Sequence, residues 1–125
     1  MFKKLKVPLP KFLTVSVAVL FLTATYLYGF PSPTLTYAGA ILLHAGLGVI
    51  VALCLIRFCL KYLKGLSLTS KIGWLLITLG AALGVALVYL GTTRPMLKWL
   101  YLHIALSMAG IVLLVADFVA RRILP

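Results

Sequence analysis

Two side chains in this sequence stand out for the chemistry they can do. His44 and His103 are its only histidines. Each closes a Leu-His pair early in a long apolar run, Tyr37-Ala-Gly-Ala-Ile-Leu-Leu-His44-Ala-Gly-Leu-Gly48 and Leu97-Lys-Trp-Leu-Tyr-Leu-His103-Ile-Ala-Leu-Ser107. An imidazole inside a hydrocarbon-length helix is costly to bury unpartnered, so each histidine marks a site by default. A neutral imidazole can ligate a metal through either ring nitrogen, and two in corresponding places point to one shared partner. The plainer reading is that each donates to a neighbouring carbonyl.

The elements that must position these residues follow from composition. The chain has 125 residues, 64% of them hydrophobic and 10% charged, with a mean hydropathy of +1.21. That is too apolar for a soluble domain of this length and implies an integral membrane protein. Four apolar runs, about 12–28, 36–61, 72–90 and 96–120, each approach the ~20 residues that cross ~30 Å of hydrocarbon. Residues 1–125 read as a single membrane domain, an all-α, four-helix up-down bundle. The basic start followed by an apolar run resembles a secretory signal. The run is long for one and no clean cleavage site follows, so it reads as a retained helix.

Between the spans lie Gly29-Phe-Pro-Ser-Pro33, Lys64-Gly-Leu-Ser-Leu-Thr-Ser-Lys71 and Gly91-Thr-Thr-Arg-Pro95, all turn-forming. The third span carries Gly80-Ala-Ala-Leu-Gly84, a small-xxx-small pattern that permits close helix contact. Tyr37 to Lys64 can be laid on Met96 to Leu124 with the Leu-His pairs in register, so the chain looks like two related helix pairs.

The formal charge is +11, twelve Lys and Arg against the single acid Asp117. These charges sit at the ends of apolar runs, which excludes a phosphate-tracking surface and gives no support to nucleic-acid binding. Membrane topology and anionic lipid explain them. Lys3, Lys4, Lys6, Lys11, Arg57, Lys61, Lys64, Lys71, Arg121 and Arg122 fall on one side, Arg94 and Lys98 on the other. The positive-inside rule then puts both termini in the cytoplasm, with Tyr26, Tyr28, Tyr37, Tyr89, Trp99 and Tyr101 near the outer boundary. Cys54 and Cys59 form no metal-spaced or haem-attachment motif and read as small apolar side chains.

With this topology spans two and four run parallel from the outer face. His44 lies eight residues after Thr36 and His103 eight after Pro95. At ~1.5 Å per residue both sit ~12 Å below the outer helix ends. Ala40 and Gly48 lie one turn either side of His44, and Ser107 one turn beyond His103. Small side chains there leave room for a flat macrocycle beside an axial ligand, and Arg94 and Lys98 at the outer surface suit its carboxylates. Met108 is off the face of His103. Arg57 and Asp117 share a depth ~20 Å further in, thirteen and fourteen residues after the histidines. The lone acid should be paired, with Arg57 across the helices or Arg121 one turn on. A proton-handling or quinone-contacting carboxylate is the sharper alternative.

The sequence resembles the small four-helix membrane b-type cytochromes of bacteria, related to cytochrome b561-like and formate-dehydrogenase-type cytochrome subunits. Their ligand helices carry Leu-His followed by small and apolar residues, then a second histidine thirteen or fourteen further on. Here His44 and His103 match the first histidine of each helix, while Arg57 or Phe58 and Asp117 stand at the second. The resemblance, over spans two to four, implies one outer haem b rather than two stacked ones.

The leading expectation is an electron-transfer subunit in the bacterial plasma membrane, with one non-covalent haem b held by His44 and His103. It would pass electrons between quinol, or a partner's cofactor, and an extracytoplasmic acceptor, as one subunit of a larger redox complex. The alternatives are a chlorophyll-type pigment-binding accessory subunit, with one pigment per histidine, and a cofactor-free structural or assembly subunit. No Ser/His/Asp set, carboxylate pair or phosphate-binding glycine loop supports a free-standing enzyme.

Overall fold

The computed structural model describes residues 11–123. The basic segment with Lys3, Lys4, Lys6, Pro8 and Pro10 lies outside the described residues, as does Leu124 at the end of the internal repeat. The described chain is helical throughout, with no strand: α1 (Lys11–Gly29), α2 (Leu35–Tyr62), α3 (Leu68–Leu90) and α4 (Leu97–Ile123). Each is long and apolar enough to cross a membrane. In hydrocarbon a helix satisfies its own backbone hydrogen bonds, which leaves side-chain packing to arrange the four.

Local chemistry sets the boundaries. Pro31 and Pro33 flank the bend between α1 and α2, and Thr34 then caps α2, its hydroxyl accepting from the Tyr37 amide at 3.2 Å. With 28 residues α2 is ~42 Å long, more than a bilayer core requires, so it tilts or protrudes. A 3-10 turn, Leu63–Gly65, follows it. The third helix begins at Leu68, four residues before the start expected at Ile72. The cause is Ser67, which caps it by accepting from the Ser70 amide at 3.2 Å. At its far end Gly91 adopts φ +71°, a left-handed conformation that glycine takes without strain, and returns its amide to the Leu87 carbonyl. A 3-10 turn at Arg94–Met96, with Pro95 inside it, leads into α4.

Consecutive helices pack antiparallel, since rising residue numbers on one meet falling numbers on the next. Between α1 and α2, Leu20 lies near Gly48, Thr23 meets His44 and Tyr26 meets Tyr37. Between α2 and α3, Phe58 packs on Trp74 with ring centroids 4.8 Å apart, while Val49 and Ala52 share a hollow with Ala82 and Val85 further along. Between α3 and α4, Gly73 faces Gly110 and Leu114, while Gly80 and Gly84 face Ser107 and His103. The bundle is therefore up-and-down.

The packing is uneven along its length. Leu13, Val51, Leu55, Phe58, Trp74 and Ile77 form the buried core, all toward the end where α2 finishes and α3 begins. The half that holds the histidines is more open, and on α4 only Gly110 is buried. The seams run α1–α2, α2–α3 and α3–α4, so α4 is docked along one side.

Candidate functional site

The tightest seam, between α3 and α4, places His103. A Cβ on Gly110 would lie 2.7 Å from the Gly73 carbonyl oxygen and 3.0 Å from the Ile77 amide nitrogen, so these two helices touch backbone to backbone. Further along, a Cβ on Gly80 would lie 2.5 Å from Ser107 Oγ, and one on Gly84 2.9 Å from His103 Cε1. The small-xxx-small pattern of α3 is thus a notch that receives Ser107 and the imidazole of His103.

Within that notch His103 Nδ1 lies 2.6 Å from the Gly80 carbonyl oxygen. A carbonyl only accepts, so Nδ1 carries the proton and Nε2 of the neutral ring presents a lone pair. His44 is held from the other side of α2. Its Nδ1 lies 2.9 Å from Thr23 Oγ1, which is itself 2.9 Å from the Val19 carbonyl and 3.0 Å from that of Leu20. With the Thr23 proton on either of those carbonyls, the hydroxyl oxygen accepts from His44 Nδ1–H. His44 is left in the same tautomer, with Nε2 bare.

The two rings meet edge to face, centroids 6.4 Å apart and planes at 85°. Both are half-buried. Neither Nε2 has a hydrogen-bond partner among the described residues, and neither is sealed from its surroundings. Metal-ligating histidines are commonly held this way, one ring nitrogen donating to a carbonyl or similar acceptor and the other free to bind.

The other residues that the sequence points to fall in three places. Ser107 lies in the α3 notch and Gly48 faces Leu20 on α1, its Cβ position 3.9 Å from Leu20 Cδ2. Both small side chains therefore serve helix packing, and Ala40, one turn from His44, is half-buried. Arg94 and Lys98 are exposed at the histidine end of the bundle, with Lys98 Nζ 5.6 Å from the Trp99 ring centroid. Met108 is exposed.

Asp117 belongs to a separate cluster at the opposite end. Its carboxylate accepts from Ser67 Oγ at 2.8 Å, Ser70 Oγ at 2.7 Å and Arg121 Nε at 2.7 Å. Arg121 also donates to Ser67 Oγ at 2.9 Å. Of the two partners expected for the acid, Arg121 is the one in contact, while Arg57 is exposed and takes no part. With three donors on two oxygens this carboxylate is a clamp between the end of α4 and the start of α3. The serines that complete it are the contacts sequence reasoning missed.

Among the described residues no group of three or more His, Cys, Asp or Glu side chains gathers to hold a metal ion. A metal held by protein ligands alone is poorly served by two imidazoles. A metal already held by a macrocycle asks the protein for one or two axial ligands, which the pair can supply. Two imidazoles bound through Nε2 to one metal have centroids ~6 Å apart, given a metal–nitrogen bond of ~2.0 Å on each side. The 6.4 Å between the His44 and His103 centroids is of that size. No family model, curated protein or solved structure matches this chain.

Proposed function

We propose that this protein is a membrane electron-transfer subunit that holds one non-covalent haem b between His44 and His103. The observation that carries the reading is the paired geometry: two imidazoles on different helices, 6.4 Å apart, each tied down at Nδ1 and free at Nε2. A haem iron held there by His44 and His103 would supply one-electron exchange. The Gly80 carbonyl and the Thr23 hydroxyl fix the ring orientations. Arg94 and Lys98, exposed at the same end, are the residues we assign to the haem carboxylates.

Arg57, Lys61, Lys64, Lys71 and Arg121 gather at the other end of the bundle, which supports a cytoplasmic placement of that end and of both termini in a bacterial plasma membrane. A single haem near the outer face cannot carry electrons across the bilayer. It would link quinol, or a partner subunit's cofactor, to an extracytoplasmic acceptor on another chain, within a larger complex.

The test is a reduced-minus-oxidised absorption spectrum of the purified protein, with pyridine extraction of any pigment, repeated on His44→Ala and His103→Ala. The expected result is a low-spin b-type spectrum at one haem per chain, lost in both variants. Two chlorophyll-type pigments would instead leave each variant with half. A colourless protein would overturn the proposal and leave the histidines as packing residues.

A further inference from the structure

The chain has one acidic side chain, Asp117, and its carboxylate is fully engaged by Ser67, Ser70 and Arg121. Arg57 is therefore a cation within α2 with no carboxylate side chain left in the protein to pair with. It makes no hydrogen bond or ion pair with the described residues and is exposed. A guanidinium at the membrane boundary attracts an anionic headgroup.

The surroundings indicate which anion. An open, shallow space of about 540 Å³ on the surface of α2 is bordered by Cys54, Arg57, Phe58, Leu60, Lys61 and Tyr62. It has a basic rim, Arg57 and Lys61, one turn apart on the helix. Apolar side chains flank that pair, Phe58 buried against Trp74 on one side and the exposed Leu60 on the other. Lys61 Nζ sits 5.1 Å from the Tyr62 ring centroid, which holds its charge at the end of the helix. Because α2 is longer than the hydrocarbon is thick, these last turns reach the headgroup level. Two cations one turn apart, with apolar helix surface on the bilayer side, match a phosphodiester with an acyl chain attached.

We propose that Arg57 and Lys61 bind the phosphate of an anionic phospholipid, whose acyl chain runs from there toward the bilayer centre past Cys54. Arg57 supplies the planar fork that can take two phosphate oxygens, and Lys61 adds a point charge. The site is independent of the histidine pair and stands or falls separately from it.

The test is native mass spectrometry of the full chain in detergent, titrated with dioleoylphosphatidylglycerol or dioleoylphosphatidylcholine, with and without millimolar inorganic phosphate. The expected result is one retained phosphatidylglycerol, unaffected by inorganic phosphate. The double variant Arg57→Gln/Lys61→Gln should lose the preference over phosphatidylcholine by on the order of twentyfold, and Lys61→Gln alone by about fivefold. Lys98→Gln, at the other end of the bundle, should leave it unchanged. The single variant reads the same loss if the double variant does not fold. Equal retention of both lipids, or a preference that survives both variants, would overturn the site. Displacement of the lipid by inorganic phosphate would show a free-phosphate site instead.

Discussion

His103 Nδ1 lies 2.6 Å from the carbonyl oxygen of Gly80, and the bare face of Gly84, one turn along α3, makes room for the ring. A helix that carries no histidine, α3, thus decides where this one points. A Cβ on Gly84 would sit 2.9 Å from Cε1 and 3.2 Å from Nδ1 of that imidazole.

Gly84→Ala should therefore move the ring rather than merely tighten the seam. The expected cost is ~1–3 kcal/mol from overpacking. Displacing a ligand from its supporting carbonyl should lower cofactor affinity on the order of 10–100-fold. Haem content per chain after extended dialysis reads the second effect, and unfolding by denaturant in detergent the first. Wild-type retention in a stable Gly84→Ala protein would mean that the notch does not orient the ligand.

Thr23 plays the corresponding part for His44. Thr23→Val keeps the shape of the side chain and deletes the oxygen that accepts from Nδ1, whereas Thr23→Ser keeps the oxygen. Expected is a loss of haem affinity of roughly tenfold in the valine variant, recovered in the serine variant. The helical far-ultraviolet signal should stay the same in both. Equal retention in all three proteins would remove Thr23 from the site.

Several of these relationships were legible in the residue pattern. Four apolar runs of membrane length, the meeting of His44 with His103, and the pairing of Asp117 with one of two arginines, Arg57 or Arg121, follow from spacing on helices. The contribution of Thr23 was hidden for a physical reason. A threonine in an apolar helix ordinarily returns its hydroxyl to the carbonyl a turn back, as Thr25 does to Phe21 and Thr78 to Trp74. Thr23 does this too, and its second bond depends on how α1 packs on α2. Ser67 and Ser70 looked like part of an ordinary polar loop, because only the α3–α4 seam brings Asp117 over them. The small residues beside the histidines were assigned to a macrocycle, but a glycine or serine on a helix face says that something comes close without saying what. For Ser107 it is α3, and for Gly48 it is α1.

The glycines also separate into those that set the fold and those that do not. Gly110→Ala would press a methyl group against the Gly73 carbonyl at 2.7 Å, which is backbone and cannot swing aside. Parting α3 from α4 should cost ~1–3 kcal/mol. Gly46, also mid-helix, has nothing within 4 Å of its Cβ position. Gly46→Ala should be neutral or stabilising by up to ~1 kcal/mol, through helix propensity and a less flexible unfolded chain. Denaturant midpoints in one detergent check the contrast, and a Gly110→Ala midpoint equal to that of Gly46→Ala would show that the seam is not close-packed.

The Asp117 cluster should behave as a clamp in which the acid outweighs its basic partner. Arg121 is 44% exposed at its side chain and its ion pair is screened, so Arg121→Ala should cost only ~0–1 kcal/mol. Asp117 is 14% exposed and holds Ser67 and the buried Ser70 as well. Removing it leaves those donors unsatisfied, and Asp117→Ala should cost ~1–3 kcal/mol. Fourteen residues, or ~21 Å of helix, separate Asp117 from His103, so neither variant should change haem content or the shape of its spectrum. Thermal unfolding in detergent ranks the two variants. A larger loss for Arg121→Ala would shift the clamp from the serine contacts to the ion pair. A spectral change in Asp117→Ala would return the carboxylate to a role at the proposed haem site.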